Sequence, residues 1–257
     1  MKFPVYLKLL GLQIHPHLLF EVLGYTLGFQ LYLLLRRKWT RPTVSFEENM
    51  WIIVACIFGA LIGTKLLAWF ESPLDYLDHW NALTGWLGGK TIVGGLLGGW
   101  MGVEWMKKWL GISYSTGDLY VFPLILGMCL GRIGCFLTGL DDHTYGIATT
   151  LPWSVDFGDG ITRHPTQLYE IAFLVGLGIY LFWHMQKPHE NGALFRWFMF
   201  SYLAFRFLIE FIKPRFIYYF GLSMIQLACI FGMIICWRSL RKHDFKPQTL
   251  KKDISYG

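Results

Sequence analysis

Between Leu119 and Leu137 the chain reads LYVFPLILGMCLGRIGCFL, nineteen residues carrying one charge, Arg132. About 20 consecutive apolar residues suffice to cross the hydrocarbon core of a bilayer, and a surface helix of a soluble domain would show a polar stripe over that length. The stretch therefore reads as a transmembrane helix. Similar blocks lie on either side of it, at Leu18–Leu35, Met50–Phe70, Thr91–Met106, Gln167–Trp183, Leu194–Ile212 and Phe220–Trp237. The composition agrees: the 257 residues are 54% hydrophobic and only 16% charged, with a mean hydropathy of +0.41. Disorder, a coiled coil and a β-barrel are excluded, because the apolar residues come in long blocks and not in short alternating segments. The expectation is an all-α integral membrane protein of about seven helices, forming one domain over residues 1–257.

The basic residues fix an orientation. Arg36, Arg37, Lys38 and Arg41 follow the first span, Lys107 and Lys108 the third, Lys187 the fifth, and Arg238, Arg241, Lys242, Lys246, Lys251 and Lys252 the seventh. The opposite connections hold Glu71, Asp75, Asp78, Asp141, Asp142, Asp156 and Asp159. Positive-inside asymmetry then places the N-terminus outside and a basic tail, 238–257, on the cytoplasmic side. That tail explains the net charge of +6 through anionic membrane lipids, with no nucleic-acid partner. The first span lacks a small-residue cleavage site and is expected to remain as a helix. Two longer outer connections, 71–90 and 139–164, are rich in aromatic residues and predict a small folded cap. The five cysteines, all within apolar stretches, do not suggest a disulfide framework.

Ionisable residues inside apolar blocks cost about 2.5–3.5 kcal/mol each at mid-helix, so they mark functional positions by default. Here they are Glu21, Lys65, Glu104, Arg132, Glu170, Arg206 and Glu210. Arg206 and Glu210, four apart, share a helical face and can pair, as part of a site or as a staple between helices. Arg132, flanked by Gly131 and Gly134, offers a fork of donors suited to phosphate. Glu104 reads as a structural partner of Lys107 or Lys108, and Lys187, Lys213 and Arg215 as anchors at span ends. Gly94 and Gly95 belong to a glycine-rich face that admits either another helix or a ligand. His164 is a candidate base or a structural hydrogen bonder, with His143 behind it. His17 and Glu21, also four apart, are too few for a metal assignment, so no metal or cofactor is expected.

Three motifs occur in order: Gly131-Arg132-Ile133-Gly134-Cys135-Phe136, Arg163-His164-Pro165-Thr166-Gln167-Leu168-Tyr169-Glu170 and Arg206-Phe207-Leu208-Ile209-Glu210-Phe211. With Gly94-Gly95-Leu96-Leu97-Gly98 and Ser223-Met224-Ile225-Gln226, the chain resembles the prolipoprotein diacylglyceryl transferases of bacterial inner membranes. The resemblance implies transfer of the diacylglyceryl group of phosphatidylglycerol to the thiol of a lipobox cysteine in a prolipoprotein, forming a thioether and releasing glycerol phosphate. It implies catalytic roles for Arg132, Arg206 and Glu210, to which His164 is added as the candidate base on its own chemistry. It assigns substrate binding to Arg132, Gly131, Gly134, Lys65, Gly94, Gly95, Gln167, Glu170 and Gln226.

The chain also departs from the family pattern. Val93 stands where the family has a histidine often assigned as the base, and Cys135, Thr138 and Leu140 replace two asparagines and a glutamate. Lys65 replaces a frequent arginine. Three readings follow: the family reaction with thiolate generated by another group; a paralogue using the same lipid pocket for a different acceptor; and a non-catalytic lipid-binding membrane protein. Cys135 reads as a small buried residue, or alternatively as a nucleophile.

Overall fold

The computed structural model describes residues 3–9, 12–38, 44–73, 89, 91–214, 219 and 221–243. Among them are seven α-helices: α1 (Pro16–Lys38), α2 (Phe46–Glu71), α3 (Ile92–Trp109), α4 (Val121–Thr138), α5 (Thr166–Met185), α6 (Ala193–Ile209) and α7 (Met224–His243). Each coincides with one of the apolar blocks. Four helical stretches, Pro16–Lys38, Phe46–Glu71, Gly117–Asp142 and Thr166–Met185, are long and apolar enough to cross a membrane, and α7 contributes the shorter apolar stretch Met224–Leu240. Phe29, Phe58, Ile62, Ile179 and Phe182 are exposed, the unshielded apolar surface expected of a protein solvated by lipid.

Local sequence sets the helix ends. Ser45 and Glu48 form a reciprocal capping box at the start of α2, with Glu48 N–H donating to Ser45 Oγ at 3.2 Å and Ser45 N–H to Glu48 Oε2 at 2.9 Å. Ser223 and Gln226 repeat the device at α7. Asp118 accepts from the N–H groups of Gly192 and Phe195 at 2.6 and 2.9 Å, placing a carboxylate at the positive end of α6.

The core joins α4, α5, α6 and α7 through Val121, Ile125, Leu174, Leu181, Leu194, Phe198, Leu203 and Cys229. Helix α2 packs along α3 by a seam of small residues. A Cβ on Gly63 would run into the Gly94 carbonyl, and one on Gly98 into the Gly59 carbonyl. The glycine face of α3 is thus a helix-packing surface at Gly94, whereas a Cβ on Gly95 would meet nothing within 4 Å.

Two short hairpins were not anticipated: β1 (Leu7–Leu9) with β2 (Leu12–Ile14), and β3 (Val155–Asp156) with β4 (Thr162–Arg163). Both lie at the end of the bundle where α1, α3, α5 and α7 begin. Val5 N–H bonds the Leu137 carbonyl, Ile147 N–H bonds that of Ile212, and Gly146 N–H bonds that of His164. Residues 139–164 are thereby fastened over the ends of α4 and α6. A Cβ on Gly146 would meet Ile212 O at 2.8 Å, so this close crossing requires glycine. Of the other expected loop, Glu71 ends α2 and accepts from Ile225 N–H at 3.1 Å, while 74–88 and 90 lie outside the described residues. So do Arg41, Arg215 and the tail from 244, with Lys246, Lys251 and Lys252.

The seam makes a direct prediction. Gly63→Leu should lower the stability of the detergent-solubilised protein by about 1–3 kcal/mol or more, by forcing α2 from α3. Gly95→Ala should leave it unchanged. Thermal unfolding of the two variants side by side checks this; equal melting temperatures would exclude close glycine packing.

Candidate active site

Where α4, α5 and α6 meet, three side chains that sequence patterning left separate come together. Arg132 is buried on α4, and its Nε stands 2.8 Å from Glu170 Oε2 on α5. Tyr202 on α6 donates its hydroxyl to Glu170 Oε1 at 2.8 Å. One turn further along α6, Arg206 Nη1 pairs with Glu210 Oε2 at 2.9 Å, and both side chains are less than a tenth exposed. Arg206 also lies within electrostatic reach of Glu170. Glu71, at the end of α2, sits within reach of both Arg206 and Glu210. Buried charges demand such pairing, since truncating one partner strands the other in a low dielectric.

The Arg206–Glu210 pair follows from the i, i+4 spacing. The Arg132–Glu170 pair joins different helices and carries no local signature. Tyr202 was missed, although it precedes Arg206 by four residues and so shares its face. Lys213, read as an anchor, also belongs here. It is half-buried just beyond α6, and desolvation together with the guanidinium groups of Arg206 and Arg132 pushes its ammonium down to about 7.

Other candidates lie elsewhere or are occupied by structural bonds. His164 Nδ1 is 3.1 Å from the Tyr169 hydroxyl, which accepts from Trp153 Nε1 at 2.7 Å. This places the histidine in the aromatic hairpin layer. Gln226 uses its side chain in the α7 cap and in a bond to the Phe207 carbonyl at 3.2 Å. Lys65 Nζ donates to the Gly89 carbonyl at 3.2 Å. Gln167 is buried and donates to Thr144 Oγ1 at 3.1 Å. Glu104 pairs with Lys107 at 2.9 Å, as the spacing anticipates. In the hairpin, Arg163 grips Asp159 with two bonds of 2.7 Å and holds its carboxyl down at about 2. Val93 is 1% exposed within the apolar core, so its position offers no polar group to the site.

Chemically, the cluster presents two guanidinium forks and a nearby ammonium to any group that reaches it. Their carboxylate partners hold the forks in place but leave further N–H donors for a phosphodiester. A model of the family described as prolipoprotein diacylglyceryl transferase matches residues 4–240. The phosphatidylglycerol-prolipoprotein diacylglyceryl transferase of Bordetella bronchiseptica is 32% identical over 221 residues, 82% of either chain. That of Bordetella avium is 33% identical over 82% of this chain and 81% of its own, and that of Nitrosomonas europaea 35% identical over 74% and 71%. Motif order, buried charge network and a match over nearly the whole chain agree: the chain belongs to the prolipoprotein diacylglyceryl transferase family.

Proposed function

We propose that this protein transfers the diacylglyceryl group of phosphatidylglycerol to the lipobox cysteine of a prolipoprotein, as a seven-span enzyme of the bacterial inner membrane with its N-terminus outside. The observation that carries the reading is the Arg132–Glu170–Tyr202 network beside the Arg206–Glu210 pair, at the bundle end covered by residues 139–164. Acidic and aromatic residues gather at that end. Arg36, Arg37 and Lys38 close α1 at the other.

In the reaction the thiol loses its proton and its sulfur attacks the glyceryl carbon bound to phosphate. The C–S bond forms as the C–O bond breaks, and glycerol phosphate leaves with the bonding pair. Arg132 and Arg206 meet the charge developing on the leaving phosphate, the kind of fixed donor whose removal typically costs about 10²–10³ in rate. Glu170, Glu210 and Tyr202 hold the guanidinium groups in orientation, and Lys213 adds positive charge while protonated. A paralogue with a different acceptor is the second reading, favoured by the apolar surroundings of Val93.

The deciding experiment incubates purified protein with labelled phosphatidylglycerol and a lipobox peptide, following thioether-linked peptide and glycerol phosphate by mass spectrometry. Both products are expected; bound lipid with neither product would support the different acceptor or a non-catalytic role. The double variant R132Q/E170Q, which keeps a neutral hydrogen-bonding pair, should fold and lose at least about a hundredfold in turnover. Undiminished turnover would remove Arg132 from the site. Glu210→Gln, which takes the paired charge at 2.9 Å from Arg206, should destabilise the protein by up to about 3–5 kcal/mol, read by thermal unfolding. Lys213 should make head-group affinity pH-dependent: below pH about 7 the ammonium aids phosphate binding, and above it that charge is lost. Glycerol phosphate titrations across this range should show weakening with rising pH in the wild type and a flatter profile in Lys213→Gln.

A further inference from the structure

His17 on α1, Cys135 near the end of α4 and Asp142 in the turn after it offer one nitrogen, one sulfur and one oxygen that all lie within 4.8 Å of one another. They come from three places in the chain. Gly134 favours the meeting: a Cβ there would lie 3.2 Å from the His17 Cα and 3.0 Å from the Phe20 Cβ, tight enough to push the start of α1 back from α4 by a few tenths of an ångström. His17 Nδ1 stands 3.1 Å from Asp142 Oδ1, yet this buried nitrogen makes no hydrogen bond of good geometry among the described residues.

The surroundings orient each group. His17 Nε2 faces Glu21 Oε2 at 3.8 Å, a carboxylate behind an imidazole as in many metal sites. Asp142 Oδ2 accepts from Thr144 Oγ1 at 2.5 Å, and Thr144 Oγ1 in turn accepts from the buried Gln167 Nε2 at 3.1 Å. That chain leaves Asp142 Oδ1 directed at His17. Cys135 is buried, with its sulfur 3.8 Å from Arg132 Nη1, so the trio adjoins the arginine network. On its other side His17 and Asp142 line a cavity of about 370 Å³ with His15, Glu21, Thr138 and Asp141.

We infer that His17, Cys135 and Asp142 bind a divalent zinc ion whose fourth position, open to the cavity, takes the acceptor thiol as a thiolate. Tetrahedral zinc with bonds of about 2.0–2.3 Å sets its ligand atoms roughly 3.3–3.8 Å apart. The trio would therefore draw in by about an ångström at its widest and scarcely at all between His17 and Asp142. One soft thiolate, one imidazole and one carboxylate with an open position is the donor set of a catalytic zinc site. A thiol that coordinates such an ion is deprotonated outright. The proton passes to water, the thiolate forms its C–S bond to the glyceryl carbon, and the C–O electron pair leaves on glycerol phosphate. Zinc changes neither oxidation state nor charge in this sequence.

This role rests on the transferase reading, whereas metal binding does not, and the test separates them. Full-length protein in detergent is stripped with a chelator, then titrated with zinc alone, measured by elemental analysis, or with cobalt(II), followed by absorption. The expectation is one metal per chain and a thiolate-to-cobalt charge-transfer band, lost in Cys135→Ser and in Cys135→Asn. Metal affinity should fall at least tenfold in Asp142→Asn and His17→Ala, with unchanged thermal unfolding of the metal-free forms showing that they are folded. No metal uptake by folded wild-type protein, or a cobalt band unaltered in both Cys135 variants, overturns the site. In the peptide assay, transfer that stops on stripping and returns with zinc supports thiol activation. Full transfer by stripped protein overturns the role of the metal while leaving the transferase reading intact. Stoichiometric metal binding without transfer in any state would refute thiol activation with this acceptor and count against the transferase reading, but leave the metal site.

Discussion

A guanidinium group cannot sit unpaired in an apolar bundle, and that constraint organises this protein. Arg132 and Arg206 are both buried, so each must find a carboxylate, and the two solutions differ in consequence. Arg206 takes Glu210 from the turn that ends its own helix, a local pairing set by the i, i+4 spacing. Arg132 takes Glu170 from α5, and Glu170 is held again by Tyr202 from α6. One carboxylate thereby links three helices and sets their rotation and register. The packing around it is almost entirely apolar and tolerates small shifts, whereas an ion pair of 2.8 Å does not.

The elements that depend on this knot were legible in the sequence to different degrees. Helix positions were readable because the physical requirement is simple: a bilayer demands about 20 apolar residues, and that demand leaves its mark residue by residue. The Arg206–Glu210 pair was readable for the same reason, its geometry being intrahelical. The glycines of α3 were ambiguous, since close helix packing and close ligand approach both require the absence of a side chain. Coordinates separate them: Gly94 is filled by the Gly63 backbone and Gly95 is open.

What could not be read is everything that joins distant segments. Glu170 could be singled out as a buried charge, but nothing in its neighbourhood names Arg132 as its partner. The hairpins at Leu7–Leu9 with Leu12–Ile14 and at Val155–Asp156 with Thr162–Arg163 are two or three residues per strand, too short to show a period. Lys213 looked like an anchor because Lys at a span end usually is one; desolvation in the fold, and then Arg206 and Arg132 beside it, make its charge expensive. His17, Cys135 and Asp142 were each remarked on separately, but nothing in the sequence says that they meet.

The departures from the family pattern acquire a common logic in this arrangement. Val93 removes a polar group from α3 and adds to the apolar core, while Cys135 places a soft sulfur beside Arg132. A histidine base that accepts a proton must carry it as positive charge, close to guanidinium groups that oppose it. A metal ion acts differently, holding the sulfur as an anion and sending the proton to water. In the proposed site the Cys135 thiolate and the Asp142 carboxylate cancel the two charges of zinc, so the ion adds no net repulsion toward Arg132. The incoming thiolate then brings one negative charge toward the guanidinium that already faces Cys135. The positive charge of the arginines, which would have hindered a histidine from taking the proton, instead helps to hold the anionic nucleophile.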